Sequence, residues 1–172
     1  LLKAHKKYGK LSLKEVLKPA IELASKGFPV PHDLNHVLDW AKGSMLDNSA
    51  SRKKFYNSKD KPLPIASIFT QPKLAKTLNL IANKGSEAFY EGEIADWIVK
   101  DSIANGGLIT RQDLANYTAK ERLPIESFYR GHKIVSMSPA ASGGIVLLQI
   151  LNILENFDMT RLGHNSASSI HL

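Results

Sequence analysis

The chain has 172 residues, 43% of them hydrophobic, no cysteine and a formal net charge of +7 at pH 7. That length can bury one real core, and no stretch approaches the roughly 18 uninterrupted apolar residues of a membrane span. The absence of cysteine excludes disulfides, thiolate nucleophiles and cysteine zinc sites, and leaves the redox compartment open.

The first residues, Leu1 to Gly9, hold neither an initiator Met nor a basic start followed by an apolar run and a small-residue cleavage site. Ser12-Leu13-Lys14-Glu15 forms a capping box, because the serine can accept from the N3 amide while the glutamate reaches back to the cap amide. Leu13, Val16, Leu17, Ala20, Ile21 and Ala24 then repeat at helical spacing up to Gly27, with a kink or restart expected at Pro19. A second helix is predicted from Pro31, with Leu34, Val37, Leu38 and Ala41 as its inner stripe.

From Gly43 to about Thr70 periodicity is lost, and Pro62, Pro64 and Asn57-Ser58 punctuate the stretch. The expectation is an extended excursion that packs on parts of the protein outside this chain. Helices are predicted again over Pro72 to Lys84 and Glu93 to Asn105, with a helical turn at Ser86 to Gly92 and a capped start at Thr110-Arg111-Gln112-Asp113.

After Tyr117 the period changes to that of strands. The first is expected over Ala119 to Tyr129, at an edge or with a bulge because of Pro124, then Arg130-Gly131 turns into a second over His132 to Met137. The helix Ile145 to Leu154 is polar only at Gln149 and Asn152, so it is expected to be covered on most sides as a layer against a sheet. Asn165 to Leu172 offer a helix cap and an amphipathic start without a stop, as in a helix cut after its first turns. The domain reading is a helical block at 1–117 and a strand-strand-helix block at 118–172. The latter is an incomplete domain, since a lone hairpin is marginal in water.

The chain resembles one enzyme family in a series of blocks in order. These are Tyr8-Gly9-Lys10-Leu11, Pro19 to Ala24 with Gly27-Phe28, Ile81-Ala82 with Gly85, and Phe89-Tyr90 with Gly92. They continue with Gly106-Gly107-Leu108-Ile109-Thr110, Asp113-Leu114-Ala115 with Tyr117, and Arg122 with Pro124-Ile125. The last are Tyr129-Arg130-Gly131, Ser142-Gly143-Gly144 and Leu151 to Glu155. Together they resemble the gamma-glutamyltransferase (gamma-glutamyl transpeptidase) family, and this chain is similar to the later part of its large subunit.

The resemblance implies an α+β, mainly helical fragment of an N-terminal-nucleophile hydrolase with an alpha-beta-beta-alpha sandwich. Such a precursor cleaves itself, and the new N-terminal threonine of the small subunit removes the gamma-glutamyl group from glutathione and transfers it to water or an amino acid. The partners implied are the rest of the large subunit and the small subunit, with a periplasmic or secreted location. No cofactor, metal, nucleic acid or membrane span is implied. The elbow departs from the family's proline run and Ser-Ser-Gly-Gly, reading Ser138-Pro139-Ala140-Ala141-Ser142-Gly143-Gly144, which leaves it less stiffened.

No catalytic, substrate-binding or metal residue is assigned in this chain. Thr70, Thr77, Thr110, Thr118 and Thr160 stand outside the family's Thr-Thr-His setting, and Arg130 lies in a turn and does not carry the glutamyl-carboxylate role. Ser142-Gly143-Gly144 could cradle an anion with free amides, but a tight turn into a buried helix explains the glycines better. Ser142 also lacks the Gly-x-Ser-x-Gly elbow of serine hydrolases.

His32 and His36 have helical metal-ligand spacing without a third ligand, so they read as surface histidines. Glu87, Glu91 and Glu93 read as a solvated helix end, and Asn116-Tyr117-Thr118 is formally a glycosylation acceptor. The alternative to the enzyme fragment, predicted inactive alone, is a freestanding helical interaction module. Its basic loops, Lys3-Lys6-Lys7-Lys10 and Arg52-Lys53-Lys54-Lys59-Lys61, would bind an acidic partner by charge.

Overall fold

A computed structural model describes all 172 residues, which divide into two compact units, Leu1–Thr118 and Ala119–Leu172. The first is helical. It opens with α1 (Leu2–Tyr8), a short helix with no side-chain cap that the sequence pattern did not reveal. Next comes α2 (Leu13–Lys26), whose capping box is complete: the Glu15 amide donates to Ser12 Oγ at 3.2 Å and the Ser12 amide donates to Glu15 Oε2 at 2.8 Å. The helix neither stops nor restarts at Pro19. The cost of one missing internal bond is outweighed by the cap and by packing along α6 (Pro72–Lys84), the most extensive helix pairing in the chain.

Gly27 ends α2 at φ +83°, and a Cβ there would come within 2.7 Å of Ile68 Cγ2 and Thr70 Cγ2. Only glycine lets the chain pass so close to β2 while adopting this conformation. Just beyond, β1 (Phe28–Pro29) pairs antiparallel with β2 (Ile68–Phe69), matching Phe28 with Phe69. Val30 is held on both sides, donating to Ser67 O at 2.9 Å and accepting from the Ala66 amide at 2.8 Å. Its side chain is 1% exposed.

The stretch expected to be an excursion is therefore tied into the same unit. After α3 (His32–Trp40), α4 (Lys42–Leu46) and α5 (Ser49–Phe55) fold locally, and Tyr56 bridges to Pro62. The Tyr56 hydroxyl donates to Leu38 O at 2.6 Å, and the Phe69 ring meets Phe55 and Phe28 at 5.5 and 5.8 Å. Irregularly spaced aromatics anchor these loops one at a time, which is why no period could be read from them.

The unit closes with α7 (Ser86–Tyr90), α8 (Glu93–Ala104) and α9 (Arg111–Ala115). The core comprises Ala24, Val30, Leu38, Tyr56, Phe69, Ala75, Ala82, Ala88, Ile94 and Ala95. Alanines from α2 and α6 allow these helices to lie close together. Arg111 fastens α9 by donating to the Gly92 and Glu91 carbonyls and pairing with Asp96 at 3.3 Å.

The second unit is a hairpin followed by helices. β3 (Ile125–Tyr129) pairs antiparallel with β4 (His132–Ser136), and α10 (Gly143–Leu154) packs on both. The first strand begins at Ile125, not at Ala119, immediately after Pro124, which cannot donate to a ladder. A 3-10 turn at Met159–Arg161 and α11 (Ala167–His171), capped by Ser166 accepting from the Ser169 amide at 3.1 Å, complete it. No helix in the chain is long and apolar enough to cross a membrane.

Candidate functional site

The family-like blocks of the second unit converge on the turn and elbow that frame α10. Arg130 and Gly131 both have positive φ, +49° and +80°, the two-residue loop that matches the twist of a hairpin. Arginine tolerates this conformation here because it is held from several sides. Its amide donates to Glu155 Oε1 at 3.0 Å, its guanidinium donates to Phe157 O at 2.6 Å, and that group lies 5.1 Å from the Tyr129 ring centre. The hairpin turn is thereby clamped to the end of α10. Arg130 is a brace in this structure.

At the other end of the helix the elbow is a turn, with the Ala141 amide donating to Ser138 O at 3.4 Å and Arg122 donating to Pro139 O at 3.4 Å. Ser142 occupies the cap position, but it already has helical dihedrals and its side chain caps nothing. The two glycines differ. A Cβ on Gly143 would meet nothing within 4 Å, whereas one on Gly144 would lie 2.1 Å from Met137 O and 3.1 Å from Ile125 Cδ1. Gly144 thus permits direct contact between the helix start and the end of β4, which supports the reading of this motif as a turn into a helix.

The remaining predicted features are dispersed. Thr77 donates to Lys73 O, Thr110 caps α9 through Asp113, and Thr160 donates to Asp158 Oδ1 at 2.6 Å, so these hydroxyls serve their own local turns. Glu93 pairs with Lys76 at 3.7 Å, and Glu87 and Glu91 are exposed at the α7 terminus. Asn116 is exposed just after α9, its Oδ1 accepting from Gln112. The rings of His32 and His36 lie near-parallel with centres 6.5 Å apart, and no group of three or more His, Cys, Asp or Glu side chains that could hold a metal occurs in the chain.

The perturbed acids likewise follow local bonding. Glu15 is held below its ordinary value by the Ser12 hydroxyl and amide, and Asp113 by the same two groups of Thr110. Asp158 is lowered first by the Thr160 hydroxyl, then by its amide and, last, by the Arg130 charge. Burial pushes the Tyr56 phenol up, with a smaller contribution from Asp39. A hollow of about 480 Å³ beside Tyr56 is lined by Asn35, Asp39, Lys42, Asn57, Lys61 and two prolines. Its amides are committed to backbone: Asn35 donates to Leu63 O, and Asn57 accepts from the Lys59 and Lys61 amides.

The basic loop is also partly neutralised, since Arg52 grips Asp60 through two bonds of 2.8 and 2.7 Å. What sequence reasoning missed were the partners of the motif residues: Glu155 and Phe157 for Arg130, and Pro139 for Arg122. Separations of 25, 27 and 17 positions carry no periodic signal.

The gamma-glutamyltranspeptidase family model matches residues 1–172. The chain belongs to this family. It is 43% identical over 166 residues to the glutathione hydrolase proenzyme of Escherichia coli strain K12, covering 96% of this chain and 29% of that protein. It is 39% identical over 167 residues to the acylase ACY 1 proenzyme of Pseudomonas sp. strain SE83, covering 96% of this chain and 30% of the relative.

The crystal structure of Helicobacter pylori gamma-glutamyltranspeptidase superposes with a TM-score of 0.92 at 42% identity, covering 99% of this chain and 49% of that one. The chain therefore spans less than a third of the length of these curated relatives. Its fold is α+β and mainly helical, and its structural neighbours are N-terminal-nucleophile hydrolases. Both curated relatives are proenzymes, the precursor form of an enzyme.

Proposed function

We propose that this chain is part of a gamma-glutamyltransferase precursor that cleaves the gamma-glutamyl bond of glutathione and related compounds and passes the group to water or an amino acid. The observation that carries this reading is the family match along residues 1–172. It also replaces the alternative of a freestanding basic interaction module. In this reading residues 1–117 are a helical block of the large subunit, and residues 118–172 contribute a hairpin and helix to the sandwich. The remaining strands come from the rest of the large subunit and from the small subunit.

The nucleophile is a threonine outside this chain, freed as the N-terminus of the small subunit. Its own amine can take the hydroxyl proton as the hydroxyl attacks the gamma-glutamyl carbonyl, and backbone donors stabilise the oxyanion. This chain supplies scaffold. The Arg130–Glu155 brace and the Gly144 contact fix α10 against its hairpin, because placement errors near 1 Å cost rate steeply. Alone, the segment is inactive, and the parent functions in the periplasm or outside the cell.

The test is to express the full-length product, confirm self-cleavage, and assay it with a gamma-glutamyl anilide. Release of the aniline is expected. A cleaved protein that releases none defeats the substrate assignment. The 39% identity to an acylase proenzyme favours a second reading, hydrolysis of another amide-linked acyl group. Turnover of a non-glutamyl acyl amide together with silence toward the anilide would select it.

A further inference from the structure

Helix α8 ends in the one Asn-Gly pair of the chain. Asn105 is the only asparagine followed by glycine, and the residue after that, Gly107, is glycine as well. We propose that Asn105 is a site of spontaneous deamidation in the folded protein, converted through a cyclic imide to aspartyl and β-aspartyl forms. The Gly106 amide nitrogen gives up its proton to hydroxide and attacks Cγ of Asn105. The bond from Cγ to Nδ2 breaks, ammonia leaves, and a succinimide ring closes. Water then opens the ring at either carbonyl, so the chain continues through the main-chain carbonyl as aspartate or through the side chain as β-aspartate.

The attack needs an unshielded nitrogen and a backbone free to turn. Gly106 supplies both, since it has no side chain and a Cβ placed there would meet nothing within 4 Å. Asn105, Gly106 and Gly107 are all exposed. At ψ 15° Asn105 holds the next amide away from its own Cγ, so this torsion must rotate first. Three bonds oppose the rotation: Asn105 Nδ2 donates to Asp101 O at 2.8 Å, the Gly106 amide to Ile103 O at 3.2 Å and the Gly107 amide to Ser102 O at 2.7 Å. All three belong to the last turn of a helix, where local opening costs least.

The other asparagines in turns are worse placed. Asn48 Oδ1 accepts from the Ser51 amide and Asn57 Oδ1 from the Lys59 and Lys61 amides, and these two and Asn165 are each followed by serine. Conversion at Asn105 also has a structural consequence. The donor to Asp101 O is lost, and a carboxylate takes its place at the negative end of the α8 dipole. The β form lengthens the backbone beside Gly107, where a Cβ would already lie 2.5 Å from Ser102 Oγ.

The experiment ages the folded full-length protein at neutral and at mildly alkaline pH and then digests it with trypsin. Cleavage after Lys100 and Arg111 releases a peptide whose single asparagine is Asn105. This peptide is expected to convert before any other asparagine of residues 1–172, faster at the higher pH, with β-aspartyl as well as aspartyl product. Asn105→Gln keeps the amide but closes a ring far less readily, and should lose the conversion. A peptide that stays intact in the folded protein while converting in urea overturns the proposal. So does aspartate as the sole product, because direct hydrolysis of the side chain makes no β form. Neither result bears on the transferase reading, which rests on other residues.

Discussion

The two units bury their apolar residues very differently. All ten residues of the hydrophobic core lie in residues 1–118, although their helices are of mixed polarity. The second unit contains the most apolar helix of the chain, α10, yet Gly144 is its only buried residue, and Ile150 and Ile153 remain 48% and 57% exposed. Hydrophobicity supplies the tendency to be buried, and neighbours decide whether it is satisfied. Buried alanines on α2, α6, α7 and α8, and the ring contacts of Phe69 with Phe28 and Phe55, provide those neighbours in the first unit. In the second, a single two-stranded hairpin offers only one face. The expectation that α10 is covered on most sides is not met within this chain.

Substitutions can break or sharpen that contrast. The largest effect is expected for Ile94→Ala, since Ile94 is 4% exposed on α8. It should cost about 3–4 kcal/mol in denaturant unfolding of the first unit, and a loss below about 1 kcal/mol would mean that this core is loosely packed. Gly144→Ala comes next, at about 2–3 kcal/mol, because its Cβ would meet the Met137 backbone oxygen, which cannot move without the strand. Hydrogen exchange at the β3 and β4 amides should speed up, and unchanged protection would remove Gly144 as the anchor of α10.

Ser12→Ala should cost about 1 kcal/mol as a lost helix cap. Glu15 is held below its ordinary value of 4.5 by the Ser12 hydroxyl and then its amide. A carboxylate lowered on folding adds stability above its unfolded pKa and loses it as pH falls through the folded one. The gap between wild type and Ser12→Ala in thermal melts should therefore be full at neutral pH and narrow below the ordinary carboxylate range. The smallest effect is expected for Ile150→Ala, under about 0.5 kcal/mol in this segment, because the side chain is half exposed. A loss like that of Ile94→Ala would show that α10 is covered after all.

Local rules made much of the first unit readable. The Ser12 and Thr110 capping boxes, Pro72 at a helix start, and Gly27 and Gly85 at helix ends each act within one turn of chain, and the helices stand where those signals put them. The β1–β2 pairing was invisible, because it joins Phe28 to Phe69 across three helices. The restart that Pro19 allowed does not occur, since α2 runs unbroken from Leu13 to Lys26 along α6. In the second unit Tyr129-Arg130-Gly131 was legible as a hairpin turn and Ser142-Gly143-Gly144 as a turn into a helix, while the bonds of Arg130 to Glu155 and Phe157 and the close approach of Gly144 to Met137 O were not.

The sequence by itself determined the helix boundaries set by caps and glycines, the hairpin turn, and the family to which the blocks belong, because all of these are written in near-neighbour chemistry or in ordered motifs. Only the tertiary structure decided that the 43–70 stretch folds back onto Val30 and Leu38, that Arg130 braces α10 through Glu155, and that the two adjacent glycines of the elbow have unequal roles. Those outcomes depend on which distant groups meet within a few ångströms, and that is fixed by packing, not by the order of residues along a turn.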